Sequence, residues 1–191
     1  EGDFLGASRA YGVGVRMFPG DLMIRVNHAQ AVAASHGDRA ALPHLLNADR
    51  MATRASAPKE LRMRVLVLLV RNHMSQDKAA NIASTLNRAL GTDPRHREAR
   101  ELYAKVLEKV RQYDKALVVL RELRREAPED LQAACKLVRL AQSVASWEDF
   151  EGVIGPMMER LRNSSATELK ECLQPLEVTM NPLFSEQDLQ Y

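Results

Sequence analysis

The chain has 191 residues, of which 46% are hydrophobic and 27% charged, and its formal net charge is +2. That length suits one domain or a short array with a sizeable core. The near-balance of charge gives no ground for a nucleic-acid or membrane-surface partner. Aromatics are few, and Ala, Leu, Arg and Glu dominate, which favours helix. The charges are interleaved rather than blocked, as on solvated helix faces. The longest apolar run, Val65–Val70, falls well short of the ~18 residues a membrane span needs. The chain opens on Glu1 rather than Met and enters an apolar pattern at once, which reads as a fragment of a longer protein. Compartment stays open, with the cytoplasm favoured.

Phe4, Ala7, Tyr11 and Gly14 are spaced three, four and three apart, with Pro19 five further on. That is one face of a helix closed by a proline. The next stretch has a turn signal at Gly37-Asp38, and a second helix that contains Pro43. Its histidines, His28, His36 and His44, have no carboxylate or cysteine at ligand spacing, so they read as structural or surface residues rather than a metal set. His73 and His96 are more isolated still.

The spacing of the first stretch returns at Ala79, Ile82, Leu86, Ala89 and Pro94, and again at Tyr113, Ala116, Leu120, Leu123 and Pro128. Trp147, Phe150, Ile154 and Met157 continue it, with Arg162 where the proline is due. A helical run precedes each: Leu66, Leu69 and Val70; Tyr103, Ala104 and Leu107; Ala134, Leu137, Val138 and Ala141. The period is 34 residues. Small residues such as Ala104 and Ala116 let paired helices approach, large ones fill around them, and neighbouring pairs must stack to bury both faces. Pro19 to Pro94 spans 75 residues, seven more than two periods, and Ala52–Pro58 is where the excess is expected, as a loop or an extended helix end. Ser56 and Pro58 read there as helix-start signals. Ser165 and Glu168 form a capping box ahead of Leu169, Cys172, Leu173 and Leu176, which predicts a helix over the last repeat, with Pro175 as a kink, followed by a linker.

This helix-turn-helix period resembles the tetratricopeptide repeat (TPR) superfamily, in its bacterial type. The resemblance implies an all-α, right-handed solenoid. It divides the chain into an array over 1–164 and a capping helix and linker over 165–191. Within the array are a partial repeat 1–20, an irregular repeat 21–62, and regular repeats 63–96, 97–130 and 131–164. In that family the first helix of each repeat lines a concave groove, with ligand contacts at its second, fifth, ninth and twelfth positions. Arg71, Lys105 and Arg139 stand at ninth positions and Arg64 at a second, which implies a basic line for an acidic partner segment. Glu98, Glu101 and Glu108 would partly neutralise it. The carboxylate clamp of chaperone-binding members is not present in this register: Val67, Arg71 and Leu102 stand where it needs Lys, Asn and Asn.

Catalytic patterns are missing: the chain has no GxSxG, phosphate loop, GxGxxG or HExxH. Glu148 and Asp149 are explained by a helix start, where acids favour the dipole. Cys135 and Cys172 are far apart and read as two buried thiols. The reading is a non-enzymatic protein or peptide-binding scaffold without cofactor, metal or nucleic acid, whose open solenoid ends allow homo-oligomers. The alternative is the TPR arm of a multidomain enzyme such as a glycosyltransferase, positioning a substrate or dimerising the enzyme.

Overall fold

The structure is a computed structural model that describes residues 3–162. Those residues form nine α-helices and no strand: α1 Phe4–Met17, α2 Leu22–His36, α3 Asp38–Arg54, α4 Lys59–Ser75, α5 Ala79–Thr92, α6 Arg97–Lys109, α7 Tyr113–Glu126, α8 Leu131–Ser143 and α9 Trp147–Arg162. The chain divides into two compact units, one ending at Tyr103 and one beginning at Ala104, with the boundary inside α6. The expected helix over 165–176 and its linker lie outside the described residues.

The turns explain the period. Asp77, Arg111 and Ala145 all have positive φ, at 58°, 61° and 55°, and stand 34 residues apart. Each follows a first helix, and the next amide bonds back to the helix at the same depth: Lys78 N to His73 O, Gln112 N to Leu107 O and Ser146 N to Ala141 O, at 2.8–3.1 Å. This is the Schellman closure, in which one left-handed residue reverses the chain and satisfies the last carbonyls. Gly37, at φ 85° and ψ 166°, joins α2 directly to α3 in a different way, with its own amide bonding Ala33 O at 3.0 Å. None of the three regular turns carries glycine, so the residue type alone did not mark them.

The prolines close the second helices by a different route. Asp21 N bonds Phe18 O, His96 N bonds Asp93 O and Asp130 N bonds Ala127 O, so Pro19, Pro94 and Pro128 each follow the first residue of a hydrogen-bonded turn. Proline suits that place, since its fixed φ fits the turn and its missing N–H costs nothing there. The last residue of each turn then starts the next helix. Asp21 Oδ1 accepts from Ile24 N at 2.9 Å, His96 Nδ1 from Ala99 N at 3.3 Å, and Asp130 Oδ1 from Gln132 N at 2.9 Å. One turn therefore stops one helix and caps the next.

In the first unit, α1 packs on α2, α2 on α3, α3 on α4 and α4 on α5. Its core gathers Val26, Ala29, Leu45, Ala48, Val65 and Leu69, with Met63, Leu66, Val67, Ala89 and Ala99 as a second cluster. In the second unit α7 packs on α8 and α8 on α9, and Ala116, Leu120, Leu123, Leu137, Val138, Ala141 and Met157 are buried. The alternation of alanine with large aliphatics follows the close approach that the repeat pattern requires. Helices α3 and α4 have 17 residues each, against 13 or 14 in α5 to α8. The seven extra residues thus go into helix ends as well as into the link at Ala55–Pro58. Pro58 is the N-cap of α4, and no side chain bonds the cap there.

Some positions depart from the stripe read in the sequence. Phe4 and Tyr11 of α1 and Tyr113 of α7 are exposed rather than buried, as is Ala79 at the start of α5. Each lies in the first part of its helix or on α1, where fewer neighbours cover it. Cys135 is disulfide-bonded and is not the free thiol expected. Spacing rules detect ligand pairs close in sequence; a bond between distant cysteines is decided by the fold. The chain's other cysteine, Cys172, lies outside the described residues.

Candidate partner-binding face

Four basic residues were singled out on first helices, and the structure places each within a local polar arrangement. In the first unit, Arg64 reaches from α4 to α2. Its Nη2 donates to Asn27 Oδ1 at 2.9 Å and Gln30 Oε1 at 2.6 Å, and its Nη1 to Met23 Sδ at 3.2 Å. Asn27 and Gln30 are three residues apart, so both face α4 from one side of α2. Two turns along α4, Arg71 pairs with Glu98 at the start of α6. Both partners are open to solvent, Arg71 at 60% and Glu98 at 41% of their side-chain surface.

In the second unit, Arg139 of α8 lies 3.6 Å from Glu108 of α6. Glu108 is half-buried, and burial pushes its carboxyl upward against the attraction of Arg139, Lys105 and Lys136. Lys105 is exposed one turn before Glu108, close enough for its charge to act on that carboxyl. Each unit thus brings two of the four bases to its own first helices: Arg64 and Arg71 in one, Lys105 and Arg139 in the other. The acids expected to offset them do so by direct pairing in two cases, Glu98 and Glu108, while Glu101 is bonded to Arg97 at 3.0 Å on its own helix.

Sequence reading missed the amide pair Asn27 and Gln30, because an uncharged side chain at a helix position carries no signal without its partner. It also underread Asp149. Both Asp149 oxygens accept from Arg121 of α7 at 2.6 Å, and Oδ2 also accepts from Ser146 at 2.7 Å. The Arg121 guanidinium holds this carboxyl below the ordinary aspartate range, against its partial burial. Asp49 of α3 and Arg88 of α5 form the matching fork in the first unit, at 2.8 and 2.9 Å. Of the three histidines of the irregular stretch, His28 and His44 come together with rings 4.7 Å apart, edge to face. His36 instead is hydrogen-bonded through Nδ1 to Ser35 Oγ at 2.7 Å. No group of three or more metal-ligating side chains occurs among the described residues, and no described helix is long and apolar enough to cross a membrane.

The tetratricopeptide repeat family matches residues 73–139. No curated protein matches the chain. Among solved structures, a crystal structure of MamA is similar at 15% identity and a TM-score of 0.67, covering 85% of this chain and 92% of that one. A second MamA crystal structure is similar at 14% identity and a TM-score of 0.60, covering 96% and 88%. At such identities the likeness is one of fold. The recurrent turns and stacked helix pairs agree with these matches: residues 73–139 form a tetratricopeptide-repeat region within an all-α fold.

Proposed function

We propose that the protein is an interaction scaffold that holds an acidic segment of a partner protein against the exposed faces of its first helices. Arg64 and Arg71 would serve in the first unit, Lys105 and Arg139 in the second. The observation that carries this reading is the pairing of Arg71 with Glu98, both solvent-exposed. Such an exposed ion pair contributes only about 0–1 kcal/mol. It orients the guanidinium without locking it, so an incoming carboxylate can share or replace Glu98 at little cost. Arg139 and Glu108 are looser still, at 3.6 Å. Charge of this kind acts on encounter rate and partner choice more than on final affinity.

The test is affinity capture with the wild-type chain and with Arg71, Lys105 and Arg139 all changed to Glu, followed by binding measurements on the recovered partner across a salt series. The expected result is loss of capture by the variant and weaker wild-type binding as salt rises. Equal recovery by both proteins would overturn the basic-face reading.

A further inference from the structure

A cavity of about 720 Å³ opens in the first unit between α1 and α3, with α2 beneath it. It is separate from the face just described. Helix α2 turns Met23, Asn27 and Gln30 toward Arg64, but Arg25 and His28 toward the cavity. Arg9 and Arg16 reach it from α1, and His44 from α3. No aspartate or glutamate lines it.

The sequence builds this opening. Helix α1 carries Gly12 and Gly14 on its inner side, where an added Cβ would lie 3.4 Å from His28 Nε2 and 3.0 Å from Ile24 Cγ2 respectively. The two helices therefore meet closely there, and the arginines of α1 flank the contact. All ionisable side chains of α1 are basic or phenolic, so α1 supplies no counter-charge. Neither Arg9 nor Arg16 has a carboxylate partner among the described residues. Arg25 spends Nε and Nη2 on the Pro19 carbonyl, at 3.0 and 2.7 Å, which fixes its fork and leaves three N–H donors. Val13, Val15 and Pro43 give the cavity an apolar wall.

We propose that this cavity binds a phosphate group carried on an apolar body, that is, a phosphate ester. Three guanidiniums without a carboxylate call for a multiply charged oxyanion, and the arginine fork matches phosphate geometry. The volume lies within the ~300–1,000 Å³ of small-molecule sites, well beyond what a bare phosphate fills. The remainder faces Val13, Val15 and Pro43. His28 supplies a built-in reporter. Burial first, then His44, Arg16 and Arg25, hold its imidazole below the ordinary histidine range. The charged and titratable groups around it are Arg9 and Arg16 on α1, Arg25 on α2 and His44 on α3, all of them basic. A bound dianion offsets their repulsion and raises the His28 pKa, so binding takes up protons.

The experiment titrates the whole chain with phenyl phosphate and, separately, inorganic phosphate, by calorimetry and by the histidine ring signals in NMR. Phenyl phosphate is expected to bind, to move the His28 and His44 signals and to raise the His28 pKa. Inorganic phosphate is expected to bind about tenfold more weakly, for want of the apolar contact. Arg9→Ala and Arg16→Ala are each expected to weaken the ester about tenfold. Both residues are exposed, so thermal melts of these variants should match the wild type. Absence of binding, affinity unchanged in both arginine variants, or equal affinity for the two phosphates would overturn the assignment.

Discussion

Helices α3 and α5 are tied across their repeats by the Asp49–Arg88 fork, and α7 and α9 by the Arg121–Asp149 fork. Helices α1 and α3 have the same alternate placing in the chain, yet no ion pair joins them among the described residues. Where the fork exists, two second helices are held at a set distance. Where it is missing, a basic cavity stands open. The difference comes down to charge supply. Asp49 is engaged by Arg88, and α1 offers arginines with no acid facing them. The forks thus spend their acids on Arg88 and Arg121, while α1 keeps Arg9 and Arg16 without an acid beside them among the described residues.

The largest expected effect sets the irregular turn against the regular ones. Gly37 has φ 85° and ψ 166°, a region open essentially to glycine alone. Gly37→Ala should lower unfolding stability by about 1–3 kcal/mol in urea denaturation. Ala145 holds one of the regular left-handed reversals at φ 55°, and Ala145→Gly should move the other way, by up to about 1 kcal/mol. A loss in both would show that the left-handed conformation at Ala145 carries no strain for glycine to relieve.

The next effect concerns the closed pair. Asp149→Asn removes the charge that Arg121 and Ser146 hold, and should cost about 1 kcal/mol at neutral pH, since Arg121 is nearly half exposed. Because the folded carboxyl lies below its unfolded value, its contribution is full above about pH 3.9 and is lost as pH falls through the depressed folded value. Melts across that acid range should bring wild type and variant together; a constant gap would point to packing instead.

The smallest effect would convert the open pair toward a closed one. Asn47 of α3 lines the cavity with Arg9 and Arg16. Asn47→Asp supplies the missing acid, and should raise stability by about 0.2–1 kcal/mol while abolishing binding of phenyl phosphate. Retained binding would mean that charge balance does not govern the cavity.

Much of the helical plan is legible in residues such as Ala116, Leu120 and Leu123, because a helix that buries one stripe must repeat apolar groups every three or four positions. Pro94 and Pro128 were equally plain, since proline's fixed φ confines it to few places. Tyr113 was misread as buried because periodicity reports the face of a helix but not how far along it a neighbour extends. Asp149 passed as a helix-start acid because Arg121, 28 residues earlier, is adjacent only after α7 and α9 have packed on α8.

The sequence by itself determined the all-α class, the 34-residue period and the proline-marked ends of the second helices, all of which follow from local backbone chemistry and the spacing of apolar side chains. Tertiary structure alone decided which charges meet. It bound Arg64 to Asn27 and Gln30, Arg71 to Glu98 and Arg88 to Asp49, and it left Arg9 and Arg16 beside His28 and His44 around a cavity. The physical reason is range: a helical stripe is written within a few residues, whereas a Coulombic or hydrogen-bonded partner is whatever residue the packed helices bring within about 4 Å.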